Sequence, residues 1–476
     1  MLELKGIEFM SNTNKRYFYD DTTGHIFPFD EINFNNDNFR DKYFKFLNDQ
    51  KTIGFKCQNV KPEDIRNYLI NHANGFKQLI LEVTTKCNFR CKYCCYSDFY
   101  KDNRTHGLTN MSWETAKKAI DYYASNFHFV SKRNPLLPAT IGFYGGEPLI
   151  NFKLIKKVVE YLESTYKYDF NYNITVNGSL FTEEVQDFLV EHNFAILVSL
   201  DGDKQTHDRN RVKIDGTGTF DEIIKNLKIF KENHPHYHKF GISGCYDLKT
   251  NFSDVEKFFD KEKLFVMNYT QVEPNNTTYY SQFSDSDLNN FQNSYHDFES
   301  KFADFAAKYN CTDDIRTFLY SMIGRKYLDF SYHSVMNEQR SQLSPFTGTC
   351  IPGEKLYVSV DGNIHVCEKI NHNTPIGDVN YGLNYNRIAE ILNTYNNNIC
   401  SQCGSCNVKK FCSVCLAKTS CSNGFGKAKD YCKNFESSIK NMLVKFVSLL
   451  EKNPKLFEKI TVDYYTNVLD IVGEQF

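Results

Sequence analysis

Long apolar runs are missing from this 476-residue chain: nowhere do about 18 consecutive apolar residues occur, so no membrane-spanning helix is expected. Net charge is nearly absent too. Lys+Arg 56 against Asp+Glu 58 leaves −2, which argues against a dominant nucleic-acid or anionic-membrane partner, so any charged site must be local. The opening Met1-Leu-Glu-Leu-Lys-Gly-Ile7 has no basic stretch followed by an apolar one, and the protein is expected in the cytoplasm. Disulfides are rare in that reducing compartment. The 16 cysteines therefore need another explanation, and their clustering points to metal.

At this length one core does not suffice, and two to four domains are expected. Residues 1–76 read apart from the rest. Gly6–Met10, Arg16–Tyr19 and His25–Phe29 are short β-prone runs with a turn at Asp20–Gly24, and helical patterns follow near Asp37–Asn48 and Pro62–Asn74. From 77 to 273 strand and helix patterns alternate. Strands are expected at Gln78–Thr84, Thr140–Tyr144, Asn171–Val176, Phe194–Leu200, Lys239–Tyr246 and Leu264–Val272. Helices are expected near Trp113–Phe127, Lys153–Thr165, Glu183–Glu191, Phe220–Lys231 and Val255–Lys261, with Ser112 and Thr182 placed as N-caps. Six βα units predict an α/β fold, a parallel sheet wound into a partial (β/α)6 barrel whose reactive end is the C-terminal edge of its strands. Residues 274–345 read as a bridge, with a polar linker at Glu273–Asp287 and helix-like aromatic spacing in Phe291–Lys308 and Asp313–Phe330. Cys311, alone between those helices, reads as packing, and residues 436–476 read as a helical tail.

The chemistry begins directly after the first barrel strand, where Cys87, Cys91 and Cys94 stand at C-x3-C-x2-C spacing. Three soft thiolates can hold three irons of a [4Fe-4S] cube, and no fourth motif cysteine closes the last iron. An open iron is a place for chemistry. A structural zinc loop would need a fourth ligand; Cys95 is adjacent, but sharing a tetrahedron with Cys94 is awkward. Gly145-Gly-Glu-Pro148 ends the second strand: glycines let backbone approach a ligand, and Glu147 can accept hydrogen bonds from a cationic amine, although the same tetrapeptide also makes an ordinary turn. Thr175–Gly178 and Ser199–Gly202 end the third and fourth strands, followed by His207–Arg211. Their Asn-Gly and Asp-Gly pairs are turn signals as well, and Arg211 has Asp201 and Asp208 as candidate partners.

In this combination the chain resembles the radical S-adenosylmethionine (SAM) enzymes. The resemblance implies that SAM chelates the open iron and yields a 5'-deoxyadenosyl radical. It further implies that Gly145, Gly146 and Glu147 hold the methionyl amine, Asn177 and Ser199 face the ribose, Arg211 clamps the carboxylate, and Tyr93 lies near adenine. A packed core tyrosine is the other reading of Tyr93. No catalytic acid or base is legible. The order of three strands and then helices in residues 1–76 resembles the winged-helix peptide-recognition element at the front of many peptide-modifying radical enzymes, which takes a leader peptide at a sheet edge; a structural cap on the barrel mouth is the other reading.

A second cysteine cluster follows. Cys350 precedes the hairpin-like Tyr357–Gly362 and then Cys367; Cys400, Cys403, Cys406, Cys412, Cys415, Cys421 and Cys432 come after a gap. Residues 346–435 thereby resemble the SPASM domain with its two auxiliary [4Fe-4S] clusters, although Cys412-x2-Cys415 stands where the family usually has three residues between cysteines. By that resemblance Cys403, Cys406, Cys412 and Cys432 ligate the outer cluster, and Cys350, Cys367 and Cys415 the inner one, with Cys400 or Cys421 as replacements for Cys415. A zinc ribbon on Cys403, Cys406, Cys412 and Cys415 would strand Cys350, Cys367 and Cys432. Ser344–Thr349 lacks the further cysteine of sulfatase maturases, so by this resemblance the inner cluster is expected to keep an open iron for a substrate thiolate; closure of that iron by Cys400 or Cys421 is the other reading.

The resemblance implies three [4Fe-4S] clusters, SAM, and a maturase that crosslinks a ribosomally made precursor peptide, as thioether-forming enzymes do. Its expected partners are the leader-bearing peptide and a low-potential donor such as flavodoxin or ferredoxin, with neither nucleic acid nor membrane. Two alternatives stay open: sulfatase-maturase-like oxidation of a protein Cys or Ser, and a non-catalytic iron-sulfur electron carrier or redox sensor.

Overall fold

In a computed structural model, described over residues 5–29, 41–42, 45, 59–309, 317–331, 342–344, 349–401, 403–421 and 424–460, the core is a single ten-stranded sheet. Three short strands come first, β1 (Gly6–Met10), β2 (Arg16–Asp20) and β3 (Ile26–Pro28), which pair antiparallel in that order. Six parallel strands follow: β4 (Gln78–Thr84), β5 (Ala139–Gly145), β6 (Phe170–Val176), β7 (Ala195–Ser199), β8 (Phe240–Tyr246) and β9 (Val266–Gln271). They lie side by side in chain order, because each is followed by a helix that returns the chain to the same end of the sheet. β4 is buried at every residue, as a strand covered on both faces must be.

The crossover helices carry their apolar stripes inward. In Trp113–Ser131 the buried positions Ala116, Ala119, Ile120, Tyr123, Ala124, Phe127 and Val130 recur at helical spacing, and Ser112 caps the start by accepting a hydrogen bond from the Thr115 amide. The helices Lys204–Asn210 and Tyr385–Ile399 both escaped the periodicity reading. Lys204–Asn210 has no apolar stripe, and its start is marked only by the Asp203 side chain accepting from the Thr206 amide.

The cysteine-rich region is not a separate appendix. β10 (Lys355–Val358) runs parallel to β4 in the register Lys355↔Gln78 to Val358↔Leu81, and β11 (Asn363–His365), β12 (Gly377–Asp378) and β13 (Gly382–Leu383) extend the sheet beyond it. The hairpin-like segment at Tyr357–Gly362 is therefore a hairpin joined to the barrel's first strand.

The front strands rest on the C-terminal helix Tyr431–Lys452. Glu451 accepts hydrogen bonds from Ser11 Oγ, Thr13 Oγ1 and Tyr17 hydroxyl at 3.0, 2.7 and 2.8 Å, and the Tyr19 ring lies 4.8 Å from that of Phe411. Pro62–Arg66 packs instead on the helix Tyr385–Ile399, where Val60 and the Asn393 side chain exchange two hydrogen bonds. Most of the helix expected at Asp37–Asn48, Cys311, the first part of Asp313–Phe330, most of Ser344–Thr349 and the tail past residue 460 lie outside the described residues, while residues 41, 42 and 45 are helical. Among the described residues no helix is long and apolar enough to cross a membrane.

Candidate active site

The loop from Thr85 to Tyr100 leaves β4 at the C-terminal edge and carries Cys87, Cys91 and Cys94. It is pinned from three sides. Arg90 and Lys92 amides donate to the carbonyls of Val212 and Asn210 at 2.7 and 2.9 Å. The Asn88 side chain donates to Ser179 Oγ and accepts from Asn177 Nδ2, both at 2.8 Å, tying the loop to the end of β6. Gly146 and Glu147 amides donate to the carbonyls of Thr84 and Lys86 at 2.9 and 2.8 Å. A Cβ at Gly145 or Gly146 would overlap those same two carbonyl oxygens. The two glycines thus allow the end of β5 to close against the cysteine loop itself.

Each of the loop's three sulfurs has a donor beside it. The Phe89 and Tyr96 amides donate to Cys87 Sγ and Cys94 Sγ at 3.4 and 3.5 Å, and Arg211 Nη1 lies 4.0 Å from Cys91 Sγ. Burial pushes the Cys87 and Cys91 thiols up to about 12, with Arg211 opposing it at Cys91, so thiolates here need further positive charge beside them. Three soft donors, two with amide hydrogen bonds to sulfur and one beside a guanidinium, fit an iron-sulfur cluster. Among the described residues no three His, Cys, Asp or Glu side chains converge as ligands of a single ion do.

The remaining predicted residues gather around this loop, most of them engaged with one another. Glu147, 1% exposed, accepts from the Asn177 amide at 2.7 Å and the Leu149 amide at 3.2 Å. Burial raises its carboxyl to about 7 against those two bonds and Arg211. Asn177 Oδ1 accepts from Ser179, so both ends of that side chain are taken. Arg211 has chosen Asp201: its Nε donates to Oδ1 at 3.1 Å. Tyr93 places its hydroxyl on Asp201 Oδ2 and its ring 5.4 Å from the Arg211 guanidinium.

Asp201, 1% exposed, also accepts from the Cys245 amide at 3.0 Å. It is the hub that orients Arg211 and Tyr93. The sequence reading named it only as a candidate partner, and did not find Asn88 or Ser179; the one available signal was their position beside Cys87 and after Asn177.

Because the folded state keeps Glu147 protonated up to about pH 7 while the unfolded chain ionises near 4.5, stability should fall as pH rises between those values and level off above. Comparing Glu147→Gln with the parent by urea denaturation from pH 4.5 to 7.5 should show the parent losing about 3 kcal/mol that the variant keeps. Parallel curves would contradict the burial argument.

In the C-terminal region Cys403, Cys406, Cys412 and Cys432 line one cavity of about 190 Å³ together with Lys427, Tyr431 and Phe435. Lys427 Nζ donates to Cys432 Sγ at 3.1 Å, and a hydrogen bond from Cys400 holds the Cys403 thiol below its ordinary value. Burial, then Glu368, then neighbouring Cys350 raise the Cys367 thiol to about 12. Cys415 precedes the short helix Leu416–Thr419, and Cys421 donates to the Gly424 carbonyl at 3.5 Å.

Residues 81–260 match the family described as the Radical SAM superfamily. The chain carries a radical SAM domain. Such a domain implies a [4Fe-4S] cluster and SAM, for which Cys87, Cys91 and Cys94 and the strand ends above are the fitting residues. The chain is 29% identical over 209 residues to the radical SAM cyclopropyl synthase TigE of Paramaledivibacter caminithermalis, covering 43% of this chain and 42% of TigE. It is 26% identical over 195 residues to a cysteine-type anaerobic sulfatase-maturating enzyme of Clostridium novyi, 40% and 49% of the two chains. The chain spans about half the length of the curated relatives it matches. Among solved structures, native anSMEcpe with bound AdoMet aligns with a TM-score of 0.53 at 17% identity, over 81% of this chain and 98% of that one, which shows the shared fold.

Proposed function

We propose that this radical SAM protein is a peptide maturase of the cytoplasm that takes one hydrogen atom from a ribosomally made precursor peptide and, with loss of a proton and of one further electron that an auxiliary iron-sulfur cluster would accept, forms a thioether or other intramolecular crosslink. One observation carries the reading. The cysteine-rich hairpin is built onto β4, the strand that bears the SAM-cluster loop, while Cys403, Cys406, Cys412 and Cys432 line a cavity of their own. That arrangement supports an outer cluster on those four residues and an inner one on Cys350, Cys367 and Cys415, beside the barrel mouth.

When bound, the Cys87/Cys91/Cys94 cluster and SAM supply a 5'-deoxyadenosyl radical. The protein's own task is positioning. Glu147 would accept the methionyl amine, Gly145 and Gly146 would let the strand end approach it, Ser199 would face the ribose while Asn177 stays committed to Asn88 and Ser179, Tyr93 would lie by the adenine, and Arg211, steadied by Asp201, would take the carboxylate. A primary-carbon radical reacts with almost any C–H bond, so the lumen must exclude water and present one hydrogen. Residues 1–76 hold the leader of the precursor, and a low-potential flavodoxin or ferredoxin delivers the electron.

The test is anaerobic reconstitution with iron and sulfide, then SAM, dithionite and the short cysteine-containing peptide encoded nearest the gene. 5'-Deoxyadenosine formation with a peptide product lighter by two hydrogens is expected. No SAM cleavage with clusters verified would overturn the reading. A Cys- or Ser-bearing sulfatase peptide in the same assay tests the activity named for the Clostridium novyi relative.

A further inference from the structure

The lumen of the barrel holds a cavity of about 230 Å³ whose polar groups are not all paired with one another. It runs along most of the barrel's height. Gln78 and Lys355 open β4 and β10 and stand side by side at its base, while Tyr144 stands at the other end, directly before Gly145 and Gly146. Gly142 keeps the middle clear. A Cβ there would meet Asn173 Oδ1 at 2.7 Å and Gln78 Nε2 at 3.2 Å, so the bond of 3.4 Å from Gln78 Nε2 to Asn173 Oδ1 passes across β5 only because that position has no side chain.

The lining carries two cations, Arg325 and Lys355, against one carboxylate, Glu368. Arg325 is engaged, with Nη1 donating to the Met267 carbonyl at 2.6 Å and to Asn268 Oδ1 at 3.0 Å. Lys355 is not. Its ammonium, on a half-buried side chain, forms no ion pair or hydrogen bond among the described residues. Two further atoms stand open, since Asn173 Nδ2 and Glu368 Oε2 are both buried without a hydrogen bond.

An ammonium and an amide N–H turned into a low-dielectric lumen cost free energy until an oxygen acceptor meets them, and the surplus positive charge selects an anionic one. A carboxylate does both, because it accepts at two oxygens and cancels the charge of Lys355. Glu368 sets the limit. Its own charge opposes a doubly charged group such as a phosphate, and its open oxygen calls for an N–H donor. An acidic residue within a peptide offers one carboxylate and one main-chain N–H.

We propose that the lumen binds a carboxylate of the substrate peptide, with Lys355 as counter-ion, Asn173 as second donor and Glu368 receiving a main-chain N–H. The proposal rests on the reading that the substrate is a peptide, and it narrows that substrate: the stretch held beneath the SAM-binding strand ends carries an Asp or Glu, or ends in the peptide's own C-terminal carboxylate.

The experiment uses the reconstituted full chain with SAM and three probes of similar shape. N-acetylglutamate amide has its carboxylate on the side chain, N-acetylglutamine has it at the terminus, and N-acetylglutamine amide is neutral. In calorimetric titration one carboxylate probe should bind at least about tenfold tighter than the neutral one, the worth of a charge-assisted hydrogen bond, and the tighter of the two names the source. Lys355→Met, which keeps the stem, should erase that preference, and crystals of the parent soaked with the tighter probe should show its carboxylate at Lys355. The soaked crystal decides alone should Lys355→Met not fold. Equal binding of all three probes, binding of none, a preference that survives Lys355→Met, or water alone in the soaked lumen would overturn the proposal. SAM cleavage without a carboxylate preference defeats the lumen site alone; a carboxylate preference without SAM cleavage defeats the functional reading alone.

Discussion

Replacing Cys91 with alanine should bring 5'-deoxyadenosine formation down to background, a loss of at least about 100-fold, because two remaining thiolates cannot hold three irons of a cube. Cys91 is the middle ligand. Its sulfur sits beside Arg211, so the variant also leaves that guanidinium without its nearest thiolate. The informative control is Cys95→Ala. Cys95 neighbours Cys94 closely enough to raise that thiol, yet the spacing makes it a bystander to an iron cube and a needed fourth ligand to zinc. Cluster absorption and SAM cleavage should survive Cys95→Ala and vanish with Cys91→Ala, as followed by chromatography of 5'-deoxyadenosine and by electron paramagnetic resonance after reduction. Equal loss in both, with zinc retained by the parent, would refute the iron assignment.

The second large effect is expected at Asp201. Its carboxylate is the counter-ion of a buried arginine and receives two further hydrogen bonds, from Tyr93 and the Cys245 amide. Asp201→Ala leaves Arg211 buried and unpaired, and breaking such a pair from one side costs about 3–5 kcal/mol. The urea midpoint should fall accordingly. Adding Arg211→Met should recover most of that loss, because the uncompensated charge goes with it, yet SAM affinity should stay low in the double variant. Recovery of both would show that Arg211 serves only the fold.

Much of the barrel was legible because its strands and helices announce themselves locally. Gln78–Thr84 and Glu183–Glu191 fall where the hydrophobic pattern put them, and the other barrel strands differ at their ends by a residue or two. Lys204–Asn210 was not legible, since a helix without an apolar stripe leaves no period to read. The pairing of β10 with β4 was not legible either. It joins residues far apart in sequence, and nothing in Lys355–Val358 names its partner. In the site, residue types at strand ends pointed to side chains that the fold brings together, but which polar groups satisfy one another is decided by three-dimensional packing. Asn177 illustrates it: chosen for a ligand, it spends its side chain on Asn88 and Ser179.

The parallel contact between β10 and β4 also governs how the molecule can be dissected. A chain ended before Lys355 would strip β4 of one neighbour and bare the hydrogen-bonding edge of a seven-residue strand that is otherwise wholly enclosed. Such an edge is a template for pairing with another copy. A barrel expressed without its cysteine-rich region is therefore expected to aggregate through that edge.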